Sequence, residues 1–265
     1  MIHKTTDMKS HNLPIIGAVC GDILGSCYEG AGIKYLDHPL CLRDDRFTDD
    51  TVCTIAITDA IINQIPFADS LRNWCRKYPY AGYGGAFRRW FRVDDALPYN
   101  SWGNGSAMRV SAAGAIAKTL EEALNLAKSS AEVTHNHPEG IKGAQATAAA
   151  IFLAKSGLSK DEIKTYVEHT FGYDLNRKYT DIQICYSFDV SCQGSVPESI
   201  ICFLESKDYE DAIRHAIALG GDADTMAAIC GSIAAAFYRK IPDTILSHCM
   251  NRLPNDMKEI LDLCK

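Results

Sequence analysis

No CxxC pair occurs in this chain, although it carries eleven cysteines among 265 residues. Zinc ribbons present paired ligands, and small secreted scaffolds are shorter chains with cysteines in even number, so both are excluded. Most of the thiols are expected to be small core fillers in the reduced state. A signal-peptide apolar segment is missing from the opening MIHKTTDMKSHN. Uninterrupted membrane-length apolar runs are missing too, because the best candidate, Leu13 to Ile33, is broken by Asp22 and Glu29. The expected compartment is the cytoplasm, with no membrane partner. Basic charge is in deficit: 27 Lys plus Arg stand against 33 Asp plus Glu, a formal charge of −6. That excludes broad nucleic-acid binding, which needs a basic face. Arg88, Arg89 and Arg92 still form a local cluster able to grip one small anion. Low-complexity linkers and fixed-period repeats are also lacking. One domain over residues 13–265 is therefore expected behind a polar tail at 1–12.

What the sequence does contain is helical patterning. Pro14 suits a first helical turn, and Gly17, Gly21 and Gly25 recur every four residues along one stripe. Small residues at that spacing permit close helix contact. Asp22 and Glu29, seven apart, fall on nearly the same face of that segment. A second helix is expected from about Thr48 to Ile65, apolar on most faces and so buried. Further helical patterns lie at 68–77, in AFRRWF, from Ala107 to His135, and in GIKGAQATAAAIFLAKSG and SKDEIKTYVEHTFG. PESIICFLES, YEDAIRHAIALG, TMAAICGSIAAAFYRK and one short terminal segment complete the set. Only Ile182, Ile184, Tyr186, Phe188 and Val190 alternate with period two, which predicts an extended segment there. The expectation is an all-α domain of nine to twelve helices.

Two local signals stand out. Thr48-Asp49-Asp50-Thr51 and Gly220-Gly221-Asp222-Ala223-Asp224-Thr225 each introduce a helix of apolar and small residues. Either motif alone reads as helix capping, with carboxylates favoured at the positive end of the dipole. Together, four carboxylates at the starts of buried helices need a counter-charge. Hard oxygen donors without paired Cys or His favour Mg²⁺, Mn²⁺ or Ca²⁺ over zinc. The two glycines before Asp222 allow a tight turn. The loop Ser101-Trp102-Gly103-Asn104-Gly105-Ser106 reads either as a plain Asn-Gly turn or as an anion cradle at a helix start.

In order along the chain, GAVCGDILGSCYEG, FTDDT, WGNGSAMR, THNHP and LGGDADTMAAICG resemble the ADP-ribosylglycohydrolase family. The motifs run from Gly17 to about Gly231. The resemblance implies a compact, single-domain orthogonal helical bundle around a two-Mg²⁺ centre, with Mn²⁺ as an alternative. It implies hydrolysis of the bond between ADP-ribose and a modified acceptor, a protein side chain or a small conjugate, by a monomer. Thr48, Asp49, Asp50, Asp222, Asp224 and Thr225 match the metal ligands. Glu29 matches the acid beside the scissile ribose, as base or as gate. Asp49, Asp50 and Asp224 join it as the catalytic candidates, since a ligand carboxylate can orient the attacking water. Ser101, Gly103, Asn104, Gly105, Ser106 and Met108 match a diphosphate loop. Gly84 and Gly85 resemble a second ligand-facing loop, and His135 a contact to phosphate or ribose. Tyr83, Phe87 and Trp102 are aromatic candidates for stacking on adenine, or else core. His137, before Pro138, is expected to terminate a helix; Arg109 reads either as a buried partner of the acidic centre, which is favoured, or as a ligand contact. Two rivals remain: an ADP-ribose-binding module without turnover, and a metal phosphohydrolase that cuts the pyrophosphate.

Overall fold

The computed structural model describes residues 12–264. Of the tail expected at 1–12, residues 1–11 lie outside the described residues. Asn12 is buried and its carbonyl accepts the amide of Ile16, so it belongs to the first helix rather than to a tail. Among the described residues there are fifteen helices and no strand, more helices than expected.

The centre is an antiparallel pair. Helix α1, Leu13–Gly25, is buried along its whole length, with Pro14 in its first turn. Helix α13, Ala223–Tyr238, lies directly against it. The glycine stripe sets the spacing. A Cβ on Gly21 would lie 2.1 Å from the Ala227 carbonyl oxygen, and one on Gly25 would lie 2.5 Å from the Asp224 Cα. The helices therefore touch backbone to backbone, and the C-terminus of α1 meets the first turn of α13. Helix α2, Asp49–Asn63, packs beside α1 and ends at Gln64 in the left-handed region, before Pro66. Helix α3 spans Phe67–Lys77, and the short α4 spans Gly85–Phe91.

The helical stretch expected from Ala107 to His135 is three helices: α5 Gly105–Met108, α6 Ser111–Ile116 and α7 Leu120–Glu132. Thr119 starts the third, accepting the Glu122 amide, while Glu122 reaches back to the Lys118 amide. That reciprocal cap outweighs helix continuity across Ala117, whose backbone is extended. Helix α8, Pro138–Lys155, starts with His137 as its N-cap, since its Nδ1 accepts the Glu139 amide. His137 thus opens a helix, contrary to the expectation that it ends one. Helices α9, Lys160–Phe171, and α10, Tyr179–Cys185, follow.

Helix α10 overturns part of the period-two reading. Tyr179 and Ile182 are buried one turn apart while Ile184 is 84% exposed, which is a helical face. Only from Tyr186 is the chain extended, and residues 190–192 seal the glycine loop. Asn104 donates its amide to the Val190 carbonyl at 2.8 Å, and Cys192 donates to the Trp102 carbonyl at 2.9 Å. A single antiparallel bridge, Gly103 to Ser191, results. Helix α11 spans Cys192–Glu205 and α12 spans Tyr209–Ile217. Both C-terminal candidates form, as α14, Asp243–Met250, and α15, Asn255–Leu263.

All eleven cysteines are free and eight are buried, as expected of core fillers. Cys185 alone is exposed. A thiol reagent is therefore expected to modify Cys185 first on the native protein, and the eight buried thiols only on unfolding. Peptide mapping after timed alkylation checks this; early labelling of Cys53 or Cys230 would contradict the packing. No helix among the described residues is long and apolar enough to cross a membrane.

Candidate active site

Three helix termini converge on one point. The last turn of α1 brings Asp22, and the first turns of α2 and α13 bring Asp49, Asp50, Asp222 and Asp224. Asp22 is fully buried and binds the start of α2 to α1. Its Oδ2 accepts the amides of Thr48 at 2.9 Å and Thr51 at 3.0 Å, and its Oδ1 accepts the Thr48 hydroxyl at 2.6 Å. Those amides have no partner within their own helix, so Asp22 caps α2 from a different helix. Asp22 was visible in the sequence as an unexplained acid on a core helix, but spacing alone did not assign it to this site.

Carboxylate oxygens of Asp22, Asp50 and Asp224 lie within 4.8 Å of one another, and so do those of Glu29, Asp222 and Asp224. The two acidic helix starts therefore meet. None of these five carboxylates, nor Asp49, forms an ion pair with a lysine or arginine among the described residues. Burial is the first cause that raises every one of them; neighbouring carboxylates add to it except at Asp22, where hydrogen bonds from Thr48 and Thr51 oppose it. Asp50 and Asp224 are held well above the usual carboxylate range, and Asp49 is pushed up to about 7. Glu29 is raised by burial and then by Asp222, with Arg46 opposing.

Capping explains only part of this. Thr48 does cap α2, accepting the Asp50 amide, but Asp222 makes no side-chain cap to α13. Asp50 Oδ1 is buried with no hydrogen-bond partner. An orphaned carboxylate oxygen among other buried carboxylates suits a hard divalent cation, which takes oxygen donors and supplies the missing charge. Asp50, Asp222, Asp224, Asp49 and the hydroxyls of Thr48 and Thr225 are the donors in reach. In the structure the Thr225 hydroxyl faces the Met108 sulfur at 3.9 Å.

The acids form one end of a cavity of about 510 Å³, within the usual range of roughly 300–1,000 Å³ for small-molecule sites. Glu29, Gly84, Gly85, Ser101, Gly103, Asn104, Gly105, Met108 and His135 all line it. Asn104 bridges the two ends: its Nδ2 donates to Asp222 Oδ2 at 2.8 Å. Ser106 does not line the cavity. Its hydroxyl donates to the Gly140 carbonyl at 2.7 Å, inside the core. Since α5 is a single turn, the loop has no long helix dipole behind it, and its chemistry rests on its own backbone.

His135 sits against this loop. A Cβ on Gly105 would lie 3.1 Å from its Nε2, so glycine lets the ring and the backbone approach. Burial, and then the charge of Arg109, hold its imidazole well below the usual range and therefore neutral. Its Nδ1 pairs with the Thr134 hydroxyl at 2.7 Å.

Several candidates fall elsewhere. Tyr83 is core: its hydroxyl donates to the Tyr78 carbonyl, and its ring packs on Phe91. Trp102 is half exposed and meets the edge of His137, away from the cavity. Phe87 lines the cavity, and Tyr80, Tyr99 and Phe188, which the sequence did not single out, join it. Arg88, Arg89 and Arg92 do not line it. Arg109 is buried as expected but pairs with no acid among the described residues. It donates to the Ser130 carbonyl and the Thr134 hydroxyl instead.

The ADP-ribosylglycohydrolase family matches residues 15–265 of this chain. The chain belongs to that family. Mouse ADP-ribosylhydrolase ARH3 is similar to it at 24% identity, over 89% of this chain and 86% of its own. A protein of Archaeoglobus fulgidus is similar at 26%, over 90% of each chain. Among solved structures, an ADP-ribosylglycohydrolase-related protein complex shares the fold, with a TM-score of 0.70 over 97% of this chain and 96% of its own, at 21% identity. The all-α architecture is thus that of the family, which is a family of hydrolases.

Proposed function

We propose that this protein is a metal-dependent ADP-ribosyl hydrolase that releases ADP-ribose from a modified acceptor. The observation that carries the reading is the cluster of carboxylates without an ion pair among the described residues, in a cavity that the glycine loop also lines. Asp49, Asp50, Asp222 and Asp224, with Thr48 and Thr225, are the residues that would hold two Mg²⁺ or Mn²⁺ ions. Bound there, divalent cations supply Lewis-acid polarisation and neutralise the carboxylates.

The chain's own residues do the rest. Asp49 and Glu29 frame the attacking water: a carboxylate takes its proton as the water oxygen bonds to the anomeric carbon, and the bond to the acceptor breaks with the acceptor leaving protonated. The nucleotide half occupies the end lined by Gly84, Gly85, Gly103, Asn104, Gly105 and His135. Binding energy gained there fixes the anomeric carbon beside the acids, away from the groups that provide it.

The test is chromatography of products from arginine- and serine-modified peptides, with Mg²⁺, with EDTA, and with Asp222→Asn. Free ADP-ribose, lost in EDTA and in the variant, is the expected result and identifies the acceptor linkage. AMP as product would replace the reading with a phosphohydrolase. ADP-ribose binding without any product would replace it with a binding module.

A further inference from the structure

The acids have an explanation in the metal reading, but the buried cation that lines the same cavity has no anionic partner among the described residues. Arg109 is among the largest fully buried side chains, at 1% exposure. Nη2 makes both of its hydrogen bonds, to the Ser130 carbonyl at 2.8 Å and the Thr134 hydroxyl at 2.9 Å. Nε is buried with no partner. Its ionisable neighbours do not supply an anion. Burial keeps the Cys53 thiol well above its usual range and raises the Tyr99 phenol and the Cys192 thiol to about 12 each, so all three stay protonated. His135 is neutral. The guanidinium also sits over the Phe87 ring, 5.7 Å from its centroid, which offsets little of the cost of burying a charge.

Arg109 lines the same cavity as Gly103, Gly105, Tyr99 and His135. The cavity is therefore lined by groups of both signs: carboxylates without an ion pair, with Arg46 beside Glu29, and, among the described residues, a buried guanidinium without an anionic partner. An occupant that completes both presents oxygen donors to metal ions at the acids and a phosphoryl anion to Arg109. We infer that Arg109 is the counter-charge for the diphosphate of the bound nucleotide, and that phosphate affinity in this cavity depends on it rather than on the glycine loop alone. This inference rests on the proposed hydrolase reading for the identity of the ligand, but binding alone tests it. Guanidinium suits the role because its fixed fork matches phosphate oxygens and it stays charged when buried. The bonds to Ser130 and Thr134 hold the fork in place, and Thr134 also orients His135.

The experiment is calorimetric titration of the full chain with ADP and with adenosine, in EDTA so that no free cation competes for the phosphates. Wild type is expected to bind ADP at least 30-fold more tightly than adenosine. In Arg109→Met that advantage is expected to shrink to within about threefold, with adenosine affinity unchanged. In Arg109→Lys, which keeps a charge but loses the fork, it is expected to shrink about tenfold. A purely structural role would lower both affinities together, and that result would overturn the inference. So would an ADP advantage undiminished in either variant, or its absence from wild type. If Arg109→Met does not fold, the lysine variant carries the comparison. Because no turnover is read, failure of ADP-ribose release and failure of this role are separate outcomes.

Discussion

Asp50→Asn is expected to lower ADP-ribose release by at least 10³-fold and, in EDTA, to raise the melting temperature. The two effects have one cause. Asp50 is buried among Asp22, Asp49, Asp222 and Asp224, and one of its oxygens has no hydrogen-bond partner. Without a cation, folding forces these like charges together or forces protons onto them. Removing one charge, and giving its neighbours an amide donor, is expected to stabilise the metal-free protein by about 1–3 kcal/mol. For a chain of this size that is a rise of roughly 2–4 °C per kcal/mol. With Mg²⁺ the order reverses. A ligand at 1,000 times its dissociation constant stabilises the fold that binds it by about 4 kcal/mol, and the variant forfeits most of that. A loss of 10³ in rate corresponds to about 4 kcal/mol of transition-state stabilisation. Thermal melts of wild type and Asp50→Asn, each with EDTA and with Mg²⁺, check the crossing. If wild type is the more stable protein in EDTA as well, the acids are not in unrelieved conflict and the metal-centre reading loses its support.

That conflict was legible in the sequence because it is local. Thr48-Asp49-Asp50 and Asp222-Ala223-Asp224 each announced a helix start burdened with acid, and the family resemblance joined them. The role of Asp22 was not legible. Its partners, the amides of Thr48 and Thr51, are 26 and 29 residues away, and only the packing of α1 on α2 brings them near. Arg109 misled for a similar reason. A buried arginine in an acidic protein invites pairing with the nearest acids, whereas the fold pairs it with the Ser130 carbonyl and the Thr134 hydroxyl. Phe188 and Val190 alternate because they line that cavity and pair with its loop, not because they belong to a sheet. Hydrophobic periodicity reports which residues leave water, but not whether a core or a ligand receives them. The helix count came out low where a cap, Thr119 with Glu122, divided a stretch whose apolar pattern runs on without a break.

The largest loss of stability is expected at Gly21, and the most informative one at Gly25. A methyl group on Gly21 would meet only backbone of α13: the Ala227 oxygen at 2.1 Å, its carbonyl carbon at 2.4 Å and the Ala228 nitrogen at 2.7 Å. No rotamer change relieves such a contact, so the two central helices must separate over a seam buried along its length. Overpacking of a core typically costs about 1–3 kcal/mol; here the upper end or more is expected. At 2–4 °C per kcal/mol, Gly21→Ala should melt roughly 6–12 °C below wild type. Gly84→Ala, whose new methyl meets nothing within 4 Å, should melt close to wild type. Gly25→Ala touches the Asp224 Cα at 2.5 Å and the Ala223 oxygen at 2.6 Å, in the turn that carries the ligand acids. It should therefore lose metal-induced stabilisation out of proportion to its loss of stability in EDTA, while Gly21→Ala, three residues further along α13, keeps most of its response to Mg²⁺. Melting each variant across a Mg²⁺ titration separates the two effects. An equal response to metal in both would mean that the seam fixes the fold without fixing the positions of the acids.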